Sequence, residues 1–547
     1  MARRPPELAK AVQFVRDGRL DDAERSYRSV LRAEPRSFEA ARGLGMISAR
    51  RGALADAERH FALASQIDPG AAQAHLDRAL VLLALKRPDE ALVCCDRALV
   101  LAPQDAAAHR TRAKALFALR RDDEALAIPA GDAETYYLRG NALLRQCKAS
   151  EALESFEQAV QLAPSMAAAF NNRGNALREL NRLDEALHSY AKAVALEPNN
   201  AVLCYNHALA LQDCGRFDEA MAAYNRAIGL KTDFAEARKA RASLKFLLGR
   251  MSDGFADFEW RRRIADRTLD PRIARIRYWS GEGLSGKSIV VYGDGAFGDL
   301  VQFSRYLPLL AAMGAEVLLL APPQFHKVLC EAALKVRPIG DIGEAGGPDF
   351  RCEFLSLPHL VGTGIPPVVD PVLHDARRIE KWAAVLGRDR RNVGICWQGN
   401  PERDIDKGRS IPLAAFHPLA QVPGVNLVSL QRKHGLDQLA QLPGEMKVRE
   451  LGPDFDAGDD AFVDTAAVMQ SLDLVVTSDT AIAHVAASMG RPTWIALRAV
   501  PEWRWQLGRS DSPWYPSVRL FRQTQADDWA PVFDEIAAAL RALAPGR

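Results

Sequence analysis

The chain has 547 residues, of which 48% are hydrophobic and 26% charged; with a mean hydropathy of -0.15 this excludes a disordered, fibrous or low-complexity chain. At about 150 residues per domain, the length predicts three or four domains rather than one shared core. The 71 basic and 69 acidic side chains leave a formal net charge of +2, which excludes a chain-wide field for nucleic acid or an anionic membrane. Met1-Ala2-Arg3-Arg4-Pro5-Pro6-Glu7 leads straight into an amphipathic pattern, and no apolar run approaches the ~18 residues of a membrane span. A cytoplasmic chain without a membrane span is expected. None of the cysteines forms a C-x-x-C pair, so buried, reduced thiols are expected.

A 34-residue period organises the first half. Pro35, Pro69 and Pro103 follow it, as do Pro164 and Pro198. Small residues recur in step at Ala23, Ala57, Ala91 and Ala125, then at Ala152, Ala186 and Ala220. Four positions after most of them stands Tyr27, Phe61, Cys95, Phe156, Tyr190 or Tyr224. The pattern resembles the helix-turn-helix unit of tetratricopeptide repeats. Antiparallel helices approach closely where Gly45, Ala79, Gly140, Gly174 or Ala208 faces its neighbour, and proline ends the second helix because it cannot continue the hydrogen-bond ladder. Between Ala125 and Ala152 the step shortens to 27, with Ile128-Pro129-Ala130-Gly131-Asp132 truncating a second helix. Seven repeats and a degenerate eighth, holding Gly254 and Phe258, predict an α-solenoid over residues 1–265. Asn141, Asn171, Asn172, Asn175 and Asn206 fall on first helices. They read either as ordinary surface residues or as amides clamping the backbone of an acceptor protein in the groove.

Past Trp260-Arg261-Arg262-Arg263 short apolar runs alternate with helical segments. Strands are predicted over 288–292, 316–320, 392–397, 426–430, 473–477 and 493–497, the pattern of parallel sheets buried on both faces. A Pro- and Gly-rich span from Val361 to Pro371 separates two α/β lobes, over 273–375 and 388–547. Their strand carboxyl ends are expected to face a common cleft.

Two glycine motifs are decided by context. Gly281 to Ser288 satisfies G-x-x-x-x-G-K-[ST], but here the strand follows the motif, whereas a phosphate loop follows a strand and opens a helix. It is a chance match. Gly293-Asp294-Gly295-Ala296-Phe297-Gly298 satisfies G-x-G-x-x-G between a strand and a helix starting near Asp299. The next strand ends Leu320-Ala321-Pro322-Pro323, with no acidic residue for a dinucleotide ribose. Gly295 and Gly298 therefore mark a loop whose backbone approaches something closely, without a nicotinamide cofactor.

In the second lobe, Asp473 to His484 reads as a strand, a polar loop and a helix N-terminus. The amides near Thr480 and Ala481 suit a diphosphate, and His484 lies one turn further on the same face. Two readings stay open for each side chain: His484 as phosphate ligand or packed core residue, Asp479 as site residue or N-cap.

These residues carry a family resemblance. S-D-T-A-I-A-H-V-A-A-S-M-G-R-P, Ser478 to Pro492, resembles the D-T-G-x-x-H-x-A-A-x-x-x-x-P signature of heptosyltransferase-like glycosyltransferases with the GT-B fold. Gly298-Asp299-Leu300, with Pro308 beyond, resembles that family's G-D-x loop, and Arg409-Ser410-Ile411-Pro412 its K-x-W-P segment with arginine for lysine. Together with Trp397-Gln398-Gly399-Asn400, Glu502-Trp503-Arg504-Trp505, Ser512-Pro513-Trp514-Tyr515-Pro516 and the repeats, the chain resembles bacterial tetratricopeptide-repeat proteins carrying a C-terminal glycosyltransferase domain. The resemblance implies a solenoid followed by a GT-B-like pair of Rossmann-type lobes. It implies that Arg409, Arg403, Asp479, Thr480, Ala481 and His484 hold the donor phosphates. It gives Asp299 the role of general base, helix capping being the alternative. Inverting transfer is implied, with no metal and no cofactor, the nucleotide sugar being a substrate. Ala481 stands where the family has glycine.

Three functions compete on these grounds. One is transfer of a sugar to a protein held in the repeat groove, with flagellin as an acceptor by resemblance. Another is a non-catalytic scaffold, and the last is a lipopolysaccharide-type saccharide transferase, which leaves the first 265 residues unexplained.

Overall fold

The computed structural model describes residues 6–264, 269–293, 297–362, 364–401, 408–457, 462–525 and 527–543. Each helix pair of the N-terminal array turns on the same backbone event. Residues 18, 52, 86, 120, 147, 181, 215 and 249 all have φ between 58° and 79°. Glycine fills four of these positions; Lys86, Arg120, Cys147 and Asn181 fill the others. The left-handed residue ends the first helix of a pair: the Lys86 amide donates to the Leu83 carbonyl (3.0 Å) and the Arg87 amide to Leu82 (2.9 Å).

The chain divides into two compact units, Met1–Leu230 and Lys231–Arg547. The first holds α1 (Pro6–Arg16) with α2 (Leu20–Ala33), α3 (Phe38–Arg50) with α4 (Leu54–Ile67), and α5 (Ala72–Ala84) with α6 (Pro88–Leu101). Next come α7 (Ala106–Ala118) with α8 (Asp122–Leu126), and α9 (Ala133–Arg145) with α10 (Ala149–Leu162). Then follow α11 (Ala167–Glu179) with α12 (Leu183–Leu196), and α13 (Ala201–Asp213) with α14 (Phe217–Leu230). At 5 residues, α8 is the truncated helix that the shortened step predicts. The small first-helix residues seat the second-helix rings. A Cβ added at Gly140 would lie 2.6 Å from the Phe156 ring, and one at Gly174 2.8 Å from Tyr190.

The second unit opens with α15 (Ala235–Leu247), α16 (Met251–Phe258) and a 3-10 turn over Glu259–Arg263. The sequence period changes near residue 265, yet the structural division falls earlier. The reason is packing: the Phe246 ring lies 4.7 Å from Trp503 and 5.6 Å from Phe258. The Leu507 amide donates to the Leu247 carbonyl at 3.1 Å. Arg261, only 3% exposed, donates to Glu353 and to the Ser356 hydroxyl, both at 2.8 Å. The last helix pair thus completes the core of the α/β region.

The first lobe runs α17 (Pro271–Ala274), β1 (Ser288–Tyr292), α18 (Phe297–Phe303), α19 (Leu307–Ala312), β2 (Glu316–Leu320), α20 (Glu331–Leu334), β3 (Arg337–Ile339), β4 (Phe350–Glu353) and α21 (Leu357–Val361). Its sheet is parallel, in the order β3-β2-β1-β4. α22 (Ala376–Leu386) leads to β5 (Arg391–Cys396), α23 (His417–Ala420), β6 (Val425–Ser429), β7 (Val448–Arg449) and α24 (Val463–Gln470). β8 (Leu474–Thr477), α25 (Ala481–Ser488), β9 (Thr493–Leu497), β10 (Val518–Arg522) and α26 (Ala530–Ala542) complete the second lobe. This sheet is also parallel, in the order β10-β9-β8-β5-β6-β7.

Val393, Ile395, Trp397, Phe416 and Phe533 form its buried centre. β3, β4, β7 and β10 are strands that apolar-run reading does not predict. β4, Phe-Arg-Cys-Glu, and β10, Val-Arg-Leu-Phe-Arg, interrupt their apolar runs with charges: Arg351 and Arg522 are half-buried, Arg519 exposed and Glu353 buried. No helix among the described residues is long and apolar enough to cross a membrane.

Topology fixes where a ligand fits. Chain order reverses between β5 and β8, and in the first lobe between β1 and β4. Open parallel sheets bind ligands beyond the strand carboxyl ends at such switch points. The loops after Tyr292, Glu353, Cys396 and Thr477 are therefore the places to look.

One prediction follows from the packing of α15 and α16. A fragment over residues 231–547 melts as one cooperative transition, whereas a fragment starting at Ile273 loses the Phe246, Phe258 and Arg261 contacts and does not. Calorimetric melting of the two fragments checks this; equal cooperativity would show the helix pair to be dispensable.

Candidate functional site

The floor of the second-lobe site is the junction of β8 and α25. Thr480 occupies the N-cap position of α25, with φ -133° and ψ 173°, but its side chain does not cap the helix amides. Its hydroxyl instead meets the hydroxyl of Thr477 at 3.2 Å and the Cys396 thiol at 3.8 Å. The first-turn amides and the helix dipole are the elements that suit an anion here. Burial pushes the Cys396 thiol up to about 11, which makes it a packing group rather than a nucleophile.

A second wall comes from the chain leaving β5. Gln431 accepts from the amides of Trp397 and Gln398, both at 3.1 Å, and donates to the Gln398 carbonyl at 2.8 Å. The Gly399 amide donates to Ser410 at 3.0 Å, laying the segment with Arg409 beside this loop. The Arg409 charge is felt at both Cys396 and His484. Asp464, by contrast, is used structurally: Arg378 and Trp382 donate to it at 2.9 and 2.8 Å.

His484 is buried and stacked on Trp505, centroids 5.3 Å apart, with Nδ1 3.0 Å from the Tyr515 hydroxyl. Burial, then the charges of Arg504, Arg305 and Arg409, holds its pKa well below the usual histidine range. The ring is neutral at physiological pH. It therefore offers dipoles rather than a positive charge.

The first lobe meets this site through α18 and the residues that flank it. α18 packs on α25, and a Cβ added at Gly298 would lie 3.0 Å from His484 Cδ2 and 3.5 Å from the Cα of Ala481. Close backbone approach is thus provided by Gly298, opposite the alanine that replaces the family's glycine. Asp299, in the first turn of α18, points to Arg504 of the second lobe and is ion-paired with it. Arg504 also donates to Gln302 of α18 and, at 2.6 Å, to Glu502. Nearby, Arg305 donates to the Trp514 carbonyl at 2.8 Å. Phe297 stacks on Phe325 (4.2 Å) and packs at a tilt against Phe462 of the second lobe (4.5 Å). Phe462 is held at φ 65°, a left-handed conformation unusual for so large a side chain.

Glu502 is the unusual titratable group of the site. Burial pushes it up to about 7, with Arg504 opposing and the neighbouring Asp479 reinforcing the shift. Arg504 is in turn raised by Glu502 and Asp299.

Among the sequence-predicted residues, Asp299, Arg409, Asp479, Thr480, Ala481, His484 and Gly298 come together around the meeting of α18 and α25. Gly295 and Arg403 lie outside the described residues. Asp479 is buried one residue before the N-cap position, which Thr480 holds. In the N-terminal unit the asparagines join in a ladder across α9, α11 and α13. Asn172 donates to Asn141 (2.6 Å), Asn171 to Asn172 (2.8 Å), Asn206 to Asn171 (2.8 Å) and Asn175 to Asn172 (3.2 Å).

Glu502, Arg504 and Gln302 are the residues that sequence reasoning passed over as site members. The alternation of charge and aromatic in Glu-Trp-Arg-Trp, and Gln302 three residues after Asp299 on one helix face, were the available signals.

Comparison with known proteins finds repeat matches in the N-terminal part of the chain and one enzyme-family match in the C-terminal part. Residues 8–72 and 137–201 match one tetratricopeptide-repeat model, and 48–115 and 177–244 match another. Residues 425–537 match the model of glycosyltransferase family 9 (heptosyltransferase). That span includes Thr480, His484 and Arg504, while Asp299 and Arg409 precede it. The chain is 29% identical over 342 residues to Protein FlbA of Caulobacter vibrioides, covering 57% of this chain and 56% of that protein. The match thus spans about half the length of that curated relative. Among solved structures, the chain is similar to the APC/C hetero-tetramer Cut9-Hcn1, at 16% identity over 41% of this chain and 48% of that one, TM-score 0.35. It is also similar to YrrB, a TPR protein with an unusual peptide-binding site, at 18% identity over 39% and 97%, TM-score 0.26.

The raised Glu502 carboxyl sets a sign for stability against pH. A carboxyl raised on folding adds stability below its unfolded value, and that stability is lost as pH rises through about 7. Glu502→Gln, which keeps the shape without the charge, is therefore expected to melt at or above the parent's temperature at pH 8. The parent's advantage over it should grow as pH falls toward 5. Melting curves across this range check the sign; a variant less stable at pH 8 than at pH 5, relative to the parent, contradicts it.

Proposed function

We propose that this chain, a tetratricopeptide-repeat protein carrying a glycosyltransferase family 9 domain, transfers a sugar from a nucleotide-sugar donor to a protein held by the repeats. The observation that carries the reading is the meeting of α18 and α25 at Gly298, which brings a carboxylate from one lobe to the helix N-terminus of the other. Each helix follows a strand at the switch point of its parallel sheet, where open α/β sheets take ligands.

In this reading the donor diphosphate lies over the α25 N-terminus, with Arg409 as its cation and Thr480, Ala481 and His484 beside it. The acceptor oxygen or nitrogen forms a bond to the anomeric carbon. The bond from that carbon to the diphosphate breaks, its electron pair leaving with the phosphate. The acceptor proton passes to Asp299. Negative charge develops on the leaving phosphate, so fixed donors aimed at it lower the barrier. A single displacement inverts the anomeric centre. Neutralisation is assigned to protein donors, with no metal and no cofactor beyond the nucleotide sugar.

The asparagine ladder supports a polypeptide acceptor. Side-chain amides carry both donors and acceptors, the pattern a peptide backbone presents, and solenoids offer extended surfaces for such ligands. By the resemblance drawn from sequence, flagellin is the first acceptor to assay.

One observation favours a second reading, a nucleotide-binding scaffold without transfer: the Asp299 carboxylate is engaged by Arg504. Asp299→Asn separates the two. Calorimetric titration with UDP, GDP, CMP and ADP should give binding of one nucleotide with similar affinity in parent and variant, while sugar transfer falls by a factor on the order of 100 to 10000 in the variant. Transfer at the parental rate removes Asp299 from the chemistry. Absence of binding to all four nucleotides removes the transferase reading.

A further inference from the structure

Glu502 to Trp505 form a turn whose consecutive side chains reach three separate elements. Trp503 packs against Phe246 of α15, ring centroids 4.7 Å apart. Arg504 crosses to Asp299 and Gln302 of α18. Trp505 stacks on His484 of α25. The turn also fixes itself, since Glu502 accepts from both the Arg504 side chain at 2.6 Å and the Arg504 amide at 2.9 Å.

A guanidinium held largely out of water between two carboxylates is an expensive way to hold a fold together, because the partial desolvation of three charges offsets much of their attraction. Its return is geometric: a planar fork fixes the carboxylates that it binds. Here the fork is braced from behind by the Trp503 ring, 4.3 Å from the guanidinium carbon. Gln302, fully buried, receives one of its N–H groups.

We infer that Arg504 is a positioning residue for Asp299, holding the carboxylate of the first lobe against the phosphate-binding helix of the second, and that Glu502 holds Arg504 in register. The inference rests on the transferase reading for its catalytic consequence, but its geometric core does not. Glu502 faces Arg504 on its own turn, Asp479 from the loop before α25, and, through Arg504, Asp299 of α18. His484 of α25 is neutral beside Arg504. With Glu502 ionised, two carboxylates fix the guanidinium; with Glu502 protonated, Asp299 alone does. Turnover should therefore fall as pH drops through about 7, the value to which burial pushes Glu502.

The test uses the full chain and its Arg504→Gln, Arg504→Lys and Glu502→Gln variants. Nucleotide release, with flagellin supplied as acceptor, is followed with UDP-N-acetylglucosamine, GDP-mannose, CMP-sialic acid and ADP-glucose. Arg504→Gln should lower kcat on the order of 100-fold, the effect of a misplaced reacting group, with little change in donor KM. Arg504→Lys should recover part of that loss. Glu502→Gln should lose the acidic limb near pH 7 in the kcat profile. A kcat within twofold of the parent for Arg504→Gln, or an equal loss in donor affinity, overturns the inference.

If the parent turns over none of the four donors, the transferase reading fails instead. Amide hydrogen exchange over Leu300–Phe303 then decides the positioning by itself. Faster exchange in Arg504→Gln, restored in Arg504→Lys, supports it, and unchanged exchange overturns it.

Discussion

The second unit depends on the contact between α18 and α25. Two helices from different parallel sheets meet almost backbone to backbone, and they do so because Gly298 has no side chain where a Cβ would press against the His484 ring. Around this contact the chain places what a closed interface usually excludes: two carboxylates, a guanidinium and a histidine held neutral. Low local dielectric strengthens these charges and makes their geometry strict. In the proposed transfer, holding an anionic leaving group and removing one proton calls for both properties.

The same constraint explains why the last helix pair belongs to the α/β unit. The guanidinium that faces Asp299 lies over the Trp503 ring, and that ring packs against Phe246 and Phe258. Arg261 ties the following turn to Glu353 at the end of β4. Glu353 lies at the first-lobe switch point. The degenerate repeat is therefore a structural base for the cleft, whatever the preceding repeats hold.

The repeat array was legible because every unit solves one packing problem with the same residue types. Small residues at Gly140 and Gly174 seat Phe156 and Tyr190, and the missing half-helix was visible as the shortened step between Ala125 and Ala152, with Pro129 inside it. Strands buried on both faces were also legible as apolar runs. β4 and β10 were not, because Arg351, Glu353, Arg519 and Arg522 break up their apolar runs. At the site, Asp299, Thr480 and His484 stood out because motif and local structure coincide. Arg504 and Glu502 did not, because their meaning arises only when the fold brings Arg504 to a carboxylate 205 residues away. No local pattern encodes a pairing of that span.

The central claim is that this chain attaches a sugar to a protein, with the donor held at the α25 N-terminus. Intact-mass measurement of soluble and exported proteins from cells with and without the chain tests it most directly. The account predicts that at least one protein is lighter by the mass of one or more sugar residues when the chain is absent, with lipopolysaccharide unchanged. Identical protein masses in both cells, with a sugar missing from lipopolysaccharide instead, would contradict it.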